Sequence, residues 1–330
     1  MNATTVKPLK VLVTGAGGAA AIAFFKAAKQ IEDLEIHMAD MDPYSSGLYL
    51  VPDGRRCLLP PGAAPEFSDC LMDYCSEHHI NIVVPTVDCE LAPLAAQRAR
   101  FEAAGIRLVL SPEQALHTCY DKLALMQSLQ GHVGLGDFTR LDKDFNLADW
   151  NYPFIVKPRI GSGSRGVRLV RRLSDLNGID TDGSYLVQEY LPGTEYSVDV
   201  YVAGDSRVVA SVIRERIKVD SGIAVISQTI IDEEISELAA QIAQKVGIRF
   251  VANVQFRRDR DGRPRLLEIN PRFPGTMSLT VAAGVNMPEL CLREACGESL
   301  PERLGYAPMA MVRNWQETFL PASEFLQPRS

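Results

Sequence analysis

Residues 253–272 read NVQFRRDRDGRPRLLEINPR. An apolar strand run from Val251 to Phe256 carries Gln255, and Arg260-Asp261-Gly262 marks a turn. A second run, Leu266 to Arg272, then carries Glu268 and Asn270 two residues apart. In a strand, residues two apart point to the same face. A hairpin would therefore gather Gln255, Glu268 and Asn270 into one all-oxygen cluster. Hard oxygen ligands with little charge suit a Mg²⁺ ion that substrate phosphates also hold. Arg272, at the exit of the second strand, is placed to touch a phosphate. Taken alone, E-x-N reads first as a polar edge hairpin with no metal.

The rest of the chain gives the hairpin its setting. The 330 residues are 46% hydrophobic and 23% charged, enough for two or three packed subdomains. A net charge of −7 argues against a nucleic-acid-binding surface. Seven cysteines and five histidines form no zinc spacing, so the cysteines are expected to be reduced and mostly core. No apolar run reaches roughly 18 residues and no signal peptide is read. The expectation is a cytoplasmic protein with no membrane partner.

Along the chain, strand runs at Lys10–Thr14, Leu34–Ala39, Asn81–Pro85 and Ile106–Leu110 alternate with helical stretches at Ala19–Gln30 and near Glu90–Ala104. That alternation predicts a parallel, doubly wound sheet. Ser111-Pro112-Glu113 predicts a helix start with Ser111 as N-cap, and Asp121 can cap a second helix. From Pro153 to Glu215 the spacing of strand and turn signals favours antiparallel hairpins. A helix is expected over Asp232–Val246 with Gly247 as its stop, and another over Asn286–Glu298. The predicted pieces are an α/β domain (1–110), a small α+β lid (111–187) and a larger α+β body (188–330).

Two glycine-rich loops invite phosphates. Gly15-x-Gly17-Gly18-x-x-Ala21 follows a strand and precedes a helix, with Asp40 at a ribose-binding distance. Alone, it reads as a dinucleotide site or as a tight turn with an anion site at the helix N-terminus. The second loop is Gly161-Ser162-Gly163-Ser164-Arg165-Gly166, rich in exposed backbone N–H groups but lacking the Gly-Lys-Ser/Thr of a P-loop. Lys157 ends an apolar strand, where an ammonium needs a partner. Thr86, Asp88 and Glu90 follow a strand end, the usual ligand position in a doubly wound sheet. Arg214, Arg216 and Lys218 are either a cation cluster for a transferring phosphoryl group or a charged strand edge.

Together these motifs resemble the ATP-grasp enzymes, most closely the carbamoyl-phosphate-synthase-like branch, where Gln can stand at the first metal-ligand position. The resemblance covers essentially the whole chain. It implies an ATP-grasp fold behind an N-terminal Rossmann-like domain, and it implies roles for residues matching the family's motifs. Lys122 and Lys157 would bind phosphates, and Gly161, Ser162, Gly163 and Ser164 would close over ATP. Gln188, Glu189, Tyr190 and Leu191 would form the hinge at the adenine, and Glu195 would take the ribose hydroxyls. Gln255, Glu268 and Asn270 would hold Mg²⁺, with Mn²⁺ an acceptable substitute, and Arg272 and Arg214 would be catalytic.

The implied activity is ATP-dependent ligation of a small carboxylate to an amine through an acyl phosphate, in a protein that can form a homodimer. An NAD(P)-dependent oxidoreductase built on the Gly15–Gly18 turn is the alternative, as is a catalytically silent nucleotide-binding regulator.

Overall fold

Three sheets divide the chain in the computed structural model, which describes residues 8–326 except 133, 162 and 164. The first is parallel throughout, in the order β3-β2-β1-β4-β5. Its strands are β1 (Leu9–Thr14), β2 (Leu34–Asp40), β3 (Arg56–Leu58), β4 (Ile82–Val84) and β5 (Arg107–Leu108). Helices α1 (Ala19–Ala28), α2 (Phe67–His78), α3 (Asp88–Ala96) and α4 (Arg98–Ala103) make the crossovers. The expected single helix near 90–104 is two, parted at Gln97. Strand order reverses at β1 and β4, so loops there open a crevice at the carboxyl ends.

Helices α5 (Glu113–Tyr120) and α6 (Lys122–Ser128) lead into the second sheet. Ser111 does not cap α5. Pro112 holds that position, and the Ser111 hydroxyl donates to the Arg249 carbonyl and accepts from the Arg249 N–H. Asp121 does cap α6, accepting from the Leu123 N–H at 2.9 Å. The second sheet is antiparallel, in the order β6-β9-β7-β8. It comprises β6 (Phe138–Leu141), β7 (Phe154–Pro158), β8 (Arg168–Val170) and β9 (Tyr185–Glu189).

The third sheet runs β14-β13-β10-β11-β12-β15, again antiparallel. Its strands are β10 (Glu195–Val202), β11 (Val208–Asp220), β12 (Ile223–Ile230), β13 (Phe250–Arg258), β14 (Pro264–Asn270) and β15 (Ala310–Val312). Helix α7 (Glu233–Val246) packs on it, capped by Asp232 and stopped by Gly247 at φ +83°. Beyond the hairpin come α8 (Met277–Ala282) and α9 (Met287–Ala295), both packed on α1.

One apolar cluster joins the first and third sheets, with Val11 and Phe24 packed among Tyr201, Val212, Phe273 and Met277. The rings of Phe24 and Phe273 meet edge to face at 5.1 Å. That shared core places the carboxyl edge of the parallel sheet against the β13–β14 hairpin. All seven cysteines are free, and no helix among the described residues is long and apolar enough to cross a membrane.

Candidate active site

The hairpin forms as the strand alternation predicts, with Gln255 opposite Glu268 and Asn253 opposite Asn270. Its two side-chain amides point their nitrogens at neighbours. Gln255 Nε2 donates to Asn253 Oδ1, and Asn270 Nδ2 donates to Glu268 Oε1, both at 3.2 Å. The amide oxygens of Gln255 and Asn270 are thereby left as acceptors beside the Glu268 carboxylate. Among the described residues, no three His, Cys, Asp or Glu side chains group as a metal cage. This cluster of one carboxylate and two amides fits a hard cation whose remaining charge phosphates neutralise.

Between Gln255 and Phe256 the pairing slips by one residue, leaving Leu267 without a partner on β13. The slip frees the Leu267 carbonyl, and Lys157 Nζ donates to it at 3.0 Å. Next to it, Gln188 Nε2 donates to the Leu266 carbonyl at 3.0 Å. The second sheet is thus tied to the back of the hairpin. Lys157 is 7% exposed, and burial pulls its ammonium down to about 8, with Glu268 pulling the other way. Lys122, the first residue of α6, donates to the Gly161 carbonyl at 2.7 Å and lies 3.7 Å from Glu268. Asp121 clamps this corner by also pairing with Arg159.

A first pocket lies between the second and third sheets. Of the residues expected at a nucleotide, Lys122, Lys157, Gly161, Gln188, Glu189, Tyr190, Leu191 and Glu195 all line it. Gly163 lines a neighbouring pocket instead, and Ser162 and Ser164 lie outside the described residues. Ile155, Val167 and Leu267 also line the first pocket and supply apolar surface. Sequence reading missed them because nothing in an apolar strand residue marks it as a ligand contact. Glu195 is ion-paired with Arg216 at 2.7 Å and lies 3.9 Å from Arg257.

The second pocket lies across the hairpin, against the first domain. Its lining includes Gly18, Ala19 and Ala20 at the start of α1, along with Thr86, Arg216 and Arg272. Gln255 and Glu268 line both pockets, so the oxygen cluster stands where the two meet.

One expectation needs correction, the catalytic role of Arg214. Arg214 has no exposed surface. Its guanidinium is ion-paired with Asp199 and bonded to Thr276, and Asp199 also accepts from Asn253 at 2.8 Å. Arg214 therefore braces the hairpin through Asp199 and lines neither pocket. Arg272 does line the second pocket, but its guanidinium forms a two-point pair with Asp88 at 2.6 and 2.9 Å. It is held by a carboxylate of the first domain and also donates to the Phe273 carbonyl at 3.4 Å. Asp40, which the dinucleotide alternative would place at a ribose, accepts from the Gly17 N–H at 2.8 Å and so fills the turn that a dinucleotide would use. A Cβ at Gly17 would lie 2.6 Å from Ser45 Oγ, and Gly15 needs φ +68°. The glycines serve close packing of the turn.

Glu90 is buried behind that turn and accepts from the Thr14 hydroxyl, and burial lifts it to about 7.

Residues 182–318 match the family model "ATP-grasp in the biosynthetic pathway with Ter operon", and residues 11–109 match "PylC-like, N-terminal domain". The chain has an ATP-grasp fold, and its residues 182–318 match an ATP-grasp family model.

Its fold resembles N5-carboxyaminoimidazole synthetase from Staphylococcus aureus complexed with ADP, at TM-score 0.74 and 16% identity over 93% of this chain and 83% of that one. It also resembles a biotin carboxylase–β,γ-ATP complex from Campylobacter jejuni, at TM-score 0.72 and 16% identity over 89% and 72%. An L-amino acid ligase from Bacillus licheniformis matches at TM-score 0.66 and 18% identity over 88% and 75%. At these identities the likeness is one of fold. In this chain the ATP-grasp body carries its oxygen cluster on β13 and β14, with an α/β domain at its open side.

Proposed function

We propose that the chain is an ATP- and Mg²⁺-dependent ligase that activates a carboxylate as an acyl phosphate and passes it to an amine, releasing ADP and phosphate. One observation carries this reading: the Gln255–Glu268 pair lines both pockets, so a nucleotide in one and an acid in the other would meet at the oxygen cluster. The first pocket suits ATP, with Tyr190 and Leu191 at the base, Glu195 at the ribose, and Lys122 and Lys157 at the phosphates. Lys157, nearly out of water, favours an anion that stabilises its charged form.

Gln255, Glu268 and Asn270 would hold the metal, which when bound neutralises phosphate charge and aligns the terminal phosphoryl group. A carboxylate oxygen then attacks that phosphorus, and the bridging P–O bond breaks with its electron pair leaving on ADP. The amine's lone pair next attacks the acyl carbon, phosphate departs, and the amine's proton goes to solvent or phosphate. These side chains position the groups and screen their charge, and no covalent nucleophile is needed.

An ADP-release screen over amino acids and small carboxylic acids, with Mg·ATP, tests the reading. ADP release that requires both an acid and an amine is the expected result. If no acid raises ADP release above background while Mg·ATP still binds, the ligase reading fails. The Gly17–Asp40 bond gives the oxidoreductase no structural support, and NAD(P)H is expected not to bind.

A further inference from the structure

The second pocket needs groups to receive the acid, and of the two arginines assigned to chemistry from the sequence only one reaches it. Arg214 is buried and lines neither pocket, while Arg272 lines the second pocket with its Nε edge taken up by Asp88. Two residues beyond Arg214 on β11, Arg216 faces the same side of the sheet but reaches the junction of the pockets. Its side chain is 8% exposed, so water does little to solvate its charge.

Its contacts define which donors remain. Arg216 Nε lies 2.7 Å from Glu195 Oε1, too oblique for a well-formed hydrogen bond. One terminal nitrogen donates to Ser197 Oγ at 3.3 Å and the other to the Gly222 carbonyl at 3.0 Å. A guanidinium has five N–H groups. Each terminal nitrogen therefore keeps one donor that meets no partner among the described residues, while the side chain lines the second pocket. Two donors on one planar fork match the two oxygens of a carboxylate or a phosphate. Glu195, Ser197 and Gly222 fix the plane of the fork ahead of ligand binding. Gly222 also touches the glycine loop, since a Cβ there would lie 3.2 Å from Gly163 Cα.

We propose that Arg216 is the anion-binding residue of the second pocket, receiving the acceptor's carboxylate and then the phosphoryl oxygens of the acyl phosphate. This deepens the ligase reading and rests on it for the identity of the anion. The acceptor is accordingly an acid whose carboxylate approaches the oxygen cluster from the α1 side, with its remaining atoms toward Thr86 and the first domain. Lys218 takes no part, because it is exposed farther along β11.

The test uses inorganic phosphate as the probe and calorimetric titration of the full chain saturated with MgADP. Phosphate is expected to bind this complex. In Arg216→Gln, MgADP should bind within a few-fold of the parent, while phosphate binds at least about tenfold more weakly, the loss of a charge-assisted contact. Arg216→Lys keeps the charge without the fork and should fall between the two. It carries the test alone if the glutamine variant does not fold.

Unchanged phosphate affinity in the variants overturns the proposal, as does the absence of phosphate binding to the parent MgADP complex. If MgADP itself does not bind the parent chain, the nucleotide pocket is misassigned and the ligase reading fails with it. That result is distinct from loss of phosphate binding alone.

Discussion

Lys157 shows most directly how burial sets chemistry at the level of a residue. Its ammonium sits near 8 because burial disfavours the charged form more than Glu268 restores it. Between about 8 and the ordinary lysine value, the unfolded chain binds more protons than the folded one. This residue's contribution to stability therefore rises with pH across that window, and its penalty is complete below it. Nucleotide phosphates favour the charged form, so Mg·ATP binding near pH 8 should take up a proton, and affinity should fall as pH rises further. Titration in two buffers of different ionisation enthalpy reads the uptake directly. Lys157→Met should abolish it and weaken binding by about 1.5–3 kcal/mol, the worth of a charge-assisted contact. Equal heats in both buffers for the parent chain would show that Lys157 meets no phosphate. Glu268→Ala should remove turnover with an unchanged circular dichroism spectrum, because it deletes the one carboxylate of the oxygen cluster. Losing a metal's transition-state role costs several kcal/mol, so a folded variant with near-normal ADP release would refute the metal assignment.

Elements position these residues through small departures from regularity. The slip at Leu267 interrupts the β13–β14 ladder and exposes the carbonyl that receives Lys157. Without that bulge, the second sheet would lose one of its anchors on the hairpin. Helix α7 backs the third sheet and depends on its ends. Asp232 accepts from the Ile235 N–H at 3.1 Å, and Gly247 adopts the left-handed turn that ends the helix. Asp232→Ala removes both the cap and a pair with Arg258. A lost cap alone costs about 1 kcal/mol, so urea unfolding should show at least that loss. ADP binding should be unchanged, because α7 lines neither pocket. A stability equal to the parent's would mean that this cap is replaced by water.

At the scale of the molecule, the site is made by docking one domain on another. The Phe24–Phe273 contact and the Asp88–Arg272 pair both cross that junction. Asp88 fixes the Arg272 fork but also cancels its charge. Asp88→Asn should leave the fold intact, since the apolar cluster carries the docking. It should lower KM for the acceptor acid by unmasking a cation, and lower kcat by loosening the fork. Steady-state kinetics with whichever acid the ADP-release screen identifies will separate the two constants. A raised KM with unchanged kcat would show that the pair serves only to hold the domains together.

Much of this arrangement follows from sequence alone because its causes are local. Period-two alternation fixes which side chains share a strand face, so the spacing of Gln255, Glu268 and Asn270 is enough to group them. The caps at Asp121, Asp232 and Gly247 depend on the few residues beside them. What only the tertiary structure decided are the partners of charges. Arg214 and Arg216 are equivalent in pattern, yet one is sealed against Asp199 and the other opens onto a pocket. Arg272 meets a carboxylate 184 positions away, and Asp40 closes on Gly17 across a parallel strand pair. No periodicity encodes such meetings, because they depend on how separate elements stack and on which polar groups that stacking removes from water.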